Sequence, residues 1–286
     1  MLNYLLYRVG QLIALSLPLN LCYKIATLIS DLHYSFAFQD RRIMRDNLKS
    51  VFPEFSKRKI RQICINTFRN FARYLVDFFR AEKIDQDFVR NKVTVKDKQY
   101  VDLALKNKKG VIILSAHLGN WELGGMIVSL LGYDFWAVAM PHKDSKVNTF
   151  FNFQRERNGV KVIALGHAVR KCLSVLKENK LLALVGDRDF SQKGKIVDFF
   201  GKPTVFPKGP AEFSRKTGAV IVPVFMLRNH DQTFTLKFEK PLEHICTEDK
   251  EKDLLRIIDQ YKVIFEDYIR HYPDQWSMFR RFWTSN

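Results

Sequence analysis

The period of the hydrophobic pattern changes along the chain, and the first part is dominated by helical spacing. The segment from Ser56 to Arg80 carries one apolar stripe. The residues of this stripe are Ile60, Ile63, Phe68, Phe71, Leu75 and Phe79. Such spacing predicts an amphipathic helix whose stripe faces the core. The lysines and arginines around the stripe make the other face of the helix basic. This basic face would either be exposed to solvent or contact an anionic membrane or an acidic carrier protein.

After residue 110 the pattern changes to short apolar runs with helical segments between them. The runs that we predict as strands are Val111–Leu114, Phe135–Met140, Val160–Leu165, Leu181–Val185, Ala219–Phe225 and Thr233–Phe238. The helices that we predict between them are Trp121–Leu131, Ser145–Arg157, Ala168–Asn179 and Gly209–Thr217. Buried strands that alternate with helices predict an α/β fold, with an at least partly parallel sheet flanked by helices. A last helix is predicted from Glu248 to His271, with Thr247 as its N-cap.

The pattern divides the chain into a hydrophobic N-terminal segment, residues 1–38, and a larger domain, residues 39–286. In the first segment, no charged residue occurs from Val9 to Tyr23. This stretch is shorter than the roughly 20 residues of a membrane-spanning helix. It therefore predicts either a membrane-anchoring or interfacial helical segment, or a hydrophobic hairpin packed on the core. The larger domain combines basic helices in 39–110 with an α/β core in 111–286.

Charge and composition narrow the range of partners. The formal net charge of +17 over 286 residues favours an anionic partner, whether a membrane surface, an acidic protein or nucleic acid. The 24 phenylalanines favour a membrane over DNA. A nucleic-acid-binding protein is the alternative from a different class, but the chain has no zinc-finger, helix-turn-helix or RNP-type segment, and we expect no nucleic acid partner. The four cysteines are scattered, which predicts neither a zinc site nor a disulfide framework.

The segment after strand Val111–Leu114 carries the candidate chemistry. His117 follows the strand, and Glu122 lies five residues later at the start of a predicted helix. A neutral imidazole can accept a proton from a hydroxyl, and a carboxylate can fix its tautomer. We therefore predict His117 as a general base and Glu122 as its orienting partner, with Asn120 as a candidate helix cap. The alternative is a structural histidine followed by a glutamate that is favoured at a helix start.

Five groups of residues, in chain order, resemble one enzyme family. The segment HLGNWE at 117–122 resembles the HxGNWE form of the HxxxxD/E motif in the lipid A late acyltransferases, the lauroyl and myristoyl transferases of Kdo2-lipid A. Enzymes that acylate phosphatidylinositol mannosides are relatives of the same type. The other similar groups are RDNL at 45–48 with VFP at 51–53, RERNG at 155–159, DRD at 187–189 with FFG at 199–201 and GPA at 209–211, and PDQW at 273–276 with RRFW at 280–283. One departure is Arg188, which stands where the family usually has Gln.

The resemblance implies an acyltransferase at the cytoplasmic face of a bacterial inner membrane. A fatty acyl chain would move from an acyl carrier protein or coenzyme A thioester to a hydroxyl of a glycolipid, a lipid A precursor. His117 would deprotonate that hydroxyl directly, with no acyl-enzyme, cofactor or metal. The alternative acceptors are other lipids, such as a phosphatidylinositol mannoside or an ornithine lipid. A non-catalytic membrane adaptor is disfavoured by the intact pair of His117 and Glu122.

The resemblance also implies a set of substrate-binding residues: Asn120, Arg155, Arg157, Asp187 and Asp189. Guanidinium groups suit phosphate or carboxylate on the acceptor, although the two arginines would also fit a solvated helix face. The two aspartates would contact the acceptor or organise the arginines; a pair of this spacing can also hold a divalent cation. Lys208 to Pro210 is predicted to start a helix, whose free amides could meet an anion.

The remaining histidines are predicted to be surface or structural residues, and the remaining aromatic residues to be structural. The histidines without a comparable setting are His33, His142, His167, His230, His244 and His271. The C-terminal cluster of Trp276 and residues 279–283 is predicted to pack on the core, with interfacial contact as the alternative.

Overall fold

The structure is a computed structural model that describes residues 2–166, 168–189 and 193–283, so His167 lies outside the described residues. The helices are α1 (Leu2–Ser16), α2 (Leu19–Phe36), α3 (Phe38–Val51), α4 (Lys57–Phe79), α5 (Gln86–Lys92), α6 (Gln99–Leu105), α7 (Trp121–Leu130), α8 (Ser145–Glu156), α9 (Ala168–Lys177), α10 (Gly209–Thr217) and α11 (Lys250–His271). The strands are β1 (Val93–Lys96), β2 (Val111–Ser115), β3 (Phe135–Ala139), β4 (Lys161–Ala164), β5 (Leu181–Val185), β6 (Lys195–Phe199), β7 (Lys202–Phe206), β8 (Val220–Arg228) and β9 (Phe234–Phe238).

The described strands form a seven-stranded sheet in the order β1-β9-β8-β2-β5-β3-β4, and β6 and β7 pair separately as an antiparallel hairpin. Neighbouring strands of the large sheet are parallel, apart from the antiparallel pair β8 and β9. Central β2 reads Val-Ile-Ile-Leu and is buried on both sides, because helices cover both faces of the sheet. The predicted α/β fold with a mixed, helix-flanked sheet is therefore confirmed.

Several element boundaries differ from those predicted. The last helix begins at Lys250, and its N-cap is Asp249, whose carboxylate accepts a hydrogen bond from the Lys252 amide at 3.1 Å. The prediction of Thr247 as the cap was wrong, because its hydroxyl instead donates to Asp253. The strands β1, β6 and β7 were not predicted. They are short and lysine-containing, and β7 includes a proline, so their apolar alternation is weak.

The long helix α4 connects the N-terminal helices to the sheet. Its N-cap is Ser56, whose hydroxyl accepts a hydrogen bond from the Lys59 amide at 3.2 Å. The predicted stripe is confirmed as its packed face: Ile60, Ile63, Phe68 and Phe79 are buried. The helix contacts α1, α2, α3 and α7. It therefore joins the hydrophobic N-terminal segment to the helix that follows His117.

The first two helices pack on α4 with one face and leave the other face open. Their packed face includes Ala14, Cys22 and Tyr23, which are buried. We call the open face the apolar face; it consists of the exposed side chains of Leu2, Leu5, Leu6, Val9, Leu12, Ile13, Leu21, Leu28, Ile29, Leu32 and Phe36. Among the helices in the described parts of the chain, none has the length and apolarity needed to cross a membrane. An apolar surface of this extent is typical of a site that contacts a membrane or a protein.

Candidate active site

The register of the parallel strands brings two distant loops together. Ser115 and Val185, the last residues of β2 and β5, are direct partners in the sheet. His117 and Asp187 each lie two residues further on, so both project from the same edge of the sheet. Gly119 then turns the chain with φ of 67°. A Cβ atom there would lie 2.1 Å from the Met226 carbonyl oxygen, so this close approach of two backbones needs glycine.

The hydrogen-bonding partner of His117 is Asp187. The imidazole Nδ1 lies 2.6 Å from Asp187 Oδ1, and the His117 amide donates to Oδ2 at 3.0 Å. The aspartate is fully buried, whereas the imidazole is 16% exposed. Burial raises the pKa of the Asp187 carboxyl, but the His117 ring and its hydrogen bonds outweigh burial and lower that pKa below its usual value. The carboxylate is thus ionised and holds the imidazole in one orientation.

Glu122 makes a different contact from the one predicted. Its two carboxylate oxygens accept hydrogen bonds from Arg155 Nε at 2.9 Å and Nη2 at 2.6 Å. The prediction that Glu122 orients His117 therefore does not match the geometry. Glu122 lies in the first turn of α7 and faces α8, whereas the loop after β5 delivers Asp187 to the imidazole. Glu122 and Arg155 instead form a bidentate ion pair that joins the first turn of α7 to the last turn of α8.

Arg157 lies apart from this group. Its guanidinium donates to Glu82 at 2.8 Å, and its side chain is 27% exposed. It is not among the residues that line the cavity described below. In this structure Arg157 forms an ion pair between the end of α8 and the turn after α4, and its role in substrate binding stays a prediction.

Asn120 caps α7 and connects it to a buried polar network. Its side-chain oxygen accepts from the Leu123 amide at 3.1 Å, as predicted for a cap, and its side-chain nitrogen donates to Asp77 at 2.8 Å. Asp77 also accepts hydrogen bonds from Tyr23 and from Arg228. The side chains of Asp77 and Arg228 are only 4% and 6% exposed, so this network ties α2, α4 and β8 to the loop that carries His117.

The segment from Gln275 to Met278, which we call the C-terminal brace, also supports the loop that carries His117. The Gly119 amide donates to the Gln275 carbonyl at 2.9 Å, and the Ser277 amide donates to the His117 carbonyl at 2.8 Å. Between these bonds, Trp276 forms an antiparallel bridge with Leu118 and is buried, as predicted for core packing. Asn47 secures the segment by donating to the Met278 carbonyl at 3.1 Å. Motifs from both ends of the chain therefore support one loop.

His117 opens into a large apolar cavity. The cavity has a volume of about 780 Å³, within the roughly 300–1,000 Å³ of small-molecule sites. Residues from β2, β3, α7 and α9 contribute to its apolar wall, among them Ile113, Val128, Phe135, Ala137 and Cys172. Such a wall suits an unbranched hydrocarbon better than a polar ligand.

The cavity wall also contains polar residues besides His117. They include Glu122, Arg155, Arg188, Asp189 and Lys208. Asp189 also accepts a hydrogen bond from the Gly194 amide at 2.8 Å. In the described ranges, no group of three or more His, Cys, Asp or Glu residues could hold a metal ion. The wall therefore combines one imidazole–carboxylate pair with several cationic groups beside a hydrocarbon-lined space.

Some of these residues had no sequence signal. His142 was interpreted as surface or structural, yet it lines the cavity. The centroids of its ring and of the Phe151 ring are 4.3 Å apart. Burial lowers the pKa of His142, and neighbouring Arg155 lowers it further. Asp77 and Arg228 lie within apolar runs and match no motif, although a charged residue inside such a run does suggest a buried ion pair. The other histidines described, His33, His230, His244 and His271, are exposed.

Comparisons with known proteins identify the family of the chain. A family model described as "Bacterial lipid A biosynthesis acyltransferase" matches residues 1–285. The chain is 25% identical to the lipid A biosynthesis palmitoleoyltransferase of Escherichia coli (strain K12) over 254 residues, which cover 84% of this chain and 82% of that protein. It is 31% identical to the phosphatidylinositol mannoside acyltransferase of Mycolicibacterium smegmatis over 159 residues, or 54% of this chain.

The match to the mycobacterial enzyme covers less of the chain than the match to the Escherichia coli enzyme. The matched region spans about half the length, 52%, of the mycobacterial phosphatidylinositol mannoside acyltransferase. A lipid A biosynthesis acyltransferase of Haemophilus influenzae is 20% identical over 66% of this chain and 60% of its own length. The family model, in contrast, includes every motif described above, from the apolar N-terminal helices to the C-terminal brace. The chain therefore belongs to the bacterial lipid A biosynthesis acyltransferase family.

Proposed function

We propose that this protein is a membrane-associated O-acyltransferase that moves a fatty acyl chain from a thioester to a hydroxyl of a lipid A precursor. One observation carries the proposal: His117, which is paired with Asp187, lines an apolar cavity of about 780 Å³. A base beside a hydrocarbon-sized space is the arrangement that acyl transfer to a hydroxyl requires.

The reaction follows from the orientation of the imidazole. Because ionised Asp187 holds Nδ1, that nitrogen carries the hydrogen and Nε2 has the free lone pair. Nε2 accepts the proton of the acceptor hydroxyl as its oxygen attacks the thioester carbonyl. The carbon–sulfur bond then breaks, and the departing thiolate takes the proton from the imidazolium. Asp187 stabilises the imidazolium between these steps.

The surface outside the cavity supports the proposed location and donor. The apolar face of α1 and α2 would insert into the cytoplasmic side of the inner membrane, with exposed Arg8 and Lys24 near anionic headgroups. The exposed basic residues at the start of α4, Lys57, Arg58 and Lys59, would attract an acidic acyl carrier protein. Coenzyme A is the alternative donor.

A phosphatidylinositol mannoside is the second candidate acceptor. The observation that favours it is the 31% identity to the mycobacterial enzyme of that name. The same base and cavity would serve both acceptors, because each offers a hydroxyl beside a polar headgroup.

Mass spectrometry of lipid products tests the proposal. Membranes with the wild-type protein receive acyl carrier protein loaded with mixed acyl chains and either a Kdo2-lipid IV-type acceptor or a phosphatidylinositol mannoside. We expect one acceptor to gain the mass of a single acyl group. The variant H117A should abolish this gain, whereas H271A, which changes an exposed histidine, should not. Full transfer by H117A would refute the mechanism.

A further inference from the structure

Arg188 is a cation of the cavity wall whose hydrogen-bonding capacity is only partly used. Its Nη2 donates to the Ser277 carbonyl at 2.7 Å. Its Nε is buried and has no hydrogen-bond partner among the described residues. Burial lowers the pKa of Arg188, and nearby Arg280 lowers it further, while Asp187 opposes both. A buried guanidinium N–H without an acceptor raises the free energy of the folded state. An anion that accepts a hydrogen bond from it would remove this cost.

Ser277 places this guanidinium close to the reacting centre. The Ser277 amide donates to the His117 carbonyl, and the Ser277 carbonyl accepts from Arg188. Arg188 also follows Asp187 directly in sequence. Arg188 and His117 are therefore connected through Ser277, which hydrogen-bonds to both, and through Asp187, which precedes Arg188 and hydrogen-bonds to His117. Both residues line the same cavity.

The arginines that the sequence suggested for anion binding are engaged elsewhere. Arg155 uses Nε and Nη2 for the two oxygens of Glu122, and Arg157 donates to Glu82. Lys208, in contrast, lines the cavity at the start of α10, and its contact with Glu212 is a loose 3.5 Å. Arg188 and Lys208 are thus better placed than Arg155 and Arg157 to meet an anionic group.

We propose that Arg188, assisted by Lys208, forms an anion subsite that binds a phosphate group of one of the two substrates beside His117. This inference rests on the proposed acyltransferase function and names a feature of its substrates. Guanidinium recognises phosphate through paired N–H donors, and Nε is available for one of them. The phosphate belongs either to the lipid acceptor or to the phosphopantetheine arm of the thioester donor.

The test compares substrates with and without phosphate. Steady-state kinetics of wild type and R188Q are measured with an acceptor and its dephosphorylated form, and with acyl-coenzyme A and the acyl-pantetheine thioester, which lacks phosphate. We expect R188Q to raise KM for one phosphorylated substrate roughly 10- to 100-fold, the size of one charge-assisted hydrogen bond. For the matching substrate without phosphate, wild type and R188Q should have the same KM. The substrate that shows this difference identifies the source of the phosphate.

Two controls separate an anion subsite from a structural role. R170Q removes one exposed positive charge outside the cavity and should leave both KM values unchanged. R188K keeps the charge but loses the paired donors, so its KM should lie between those of wild type and R188Q. If R188Q does not fold, the KM values of R188K are compared with those of the wild type instead. In addition, inorganic pyrophosphate should raise the Tm of the wild type more than that of R188K.

The outcomes distinguish this inference from the proposed function. If the wild type is active but R188Q and R188K keep wild-type KM values for every substrate, the anion subsite is wrong while the acyltransferase function stands. A uniform fall in kcat, equal with and without phosphate, would also overturn the subsite, because it would indicate a purely structural arginine. If the wild type transfers no acyl chain, the proposed function fails, and the Tm comparison with pyrophosphate alone decides whether Arg188 binds phosphate.

Discussion

His117 donates to Asp187 twice, through its backbone amide at 3.0 Å and through ring Nδ1 at 2.6 Å. The carboxylate thus fixes both the main chain and the imidazole of the same residue. This double contact restricts rotation of the ring, as the proposed transfer of a proton to Nε2 requires.

The first prediction concerns this pair. D187N keeps the size of the side chain but removes the charge that stabilises the imidazolium, so kcat should fall by about 10²- to 10⁴-fold. Measurement of kcat at saturating thioester and acceptor, with circular dichroism to verify folding, provides the check. A folded D187N enzyme with wild-type kcat would show that Asp187 has no part in proton transfer.

The second prediction concerns Glu122 and Arg155, which contact each other rather than His117. Each single variant, E122Q or R155Q, leaves a partly buried charge without its partner. The double variant should therefore lose less stability than the sum of the two single losses, with a coupling of about 1–3 kcal/mol. Urea denaturation of the wild type, E122Q, R155Q and the double variant gives the four free energies of unfolding from which the coupling is calculated. Additive losses would mean that the ion pair contributes nothing to the folded state.

The third prediction concerns the buried pair of Asp77 and Arg228. D77A leaves the Arg228 guanidinium buried without a carboxylate, and should lower the free energy of unfolding by about 3–5 kcal/mol. The double variant D77A/R228M removes both charges and should recover part of this loss. Chemical denaturation gives both values. Equal stability of D77A and wild type would contradict a network that depends on this ion pair.

The fourth prediction concerns the apolar face. Leu28 and Leu32 are 71% and 62% exposed, and each should contribute about 1.5–3 kcal/mol when it enters a membrane. The variant L28E/L32E should therefore bind vesicles of mixed neutral and anionic phospholipids at least about tenfold more weakly. Co-sedimentation measures the binding. V263E is the matched control, because Val263 is 58% exposed on α11, away from this face. Equal losses in both variants would exclude the apolar face as the specific contact.

The fifth prediction concerns acid stability and Asp253. Burial raises the pKa of this carboxyl, but hydrogen bonds from Arg215 and Thr247 outweigh it and lower the pKa from 3.8 to about 2. A depressed pKa in the folded state stabilises the protein above the unfolded pKa, and this contribution is lost as pH falls from about 4 toward 2. The difference in unfolding free energy between wild type and D253N should thus be smaller at pH 3 than at pH 5. A constant difference would contradict the lowered pKa.

The sequence predicted the position of His117 well but not its partner. An apolar run followed by His-Leu-Gly-Asn is a local signal, and strand, turn and helix all form within 20 residues of one another. Asp187 is 70 positions away from His117. Its proximity depends on the pairing of β2 with β5, which local periodicity does not specify, so the nearer carboxylate of Glu122 was the more obvious choice.

The supporting contacts were harder to predict for the same reason. The apolar stripe of α4 was recognised from spacing alone, but the partners of Asp77 in that helix are not its sequence neighbours Arg73 and Arg80. Its hydrogen bonds reach Arg228, 151 positions away, and Asn120, 43 positions away. Patterns along the chain therefore identified most of the elements and the candidate base, whereas contacts between elements define how His117 is held.

The C-terminal brace has a consequence for how the enzyme matures. Met278 accepts its hydrogen bond from a residue 231 positions earlier, and Ser277 contacts a guanidinium 89 positions earlier. During translation, α1 and α2 leave the ribosome long before Gln275, Trp276 and Ser277 are made. If the proposed membrane contact holds, the apolar helices can reach the lipid surface while the histidine loop is still unsupported. The nascent chain would then bind the membrane first and become competent for chemistry only afterwards.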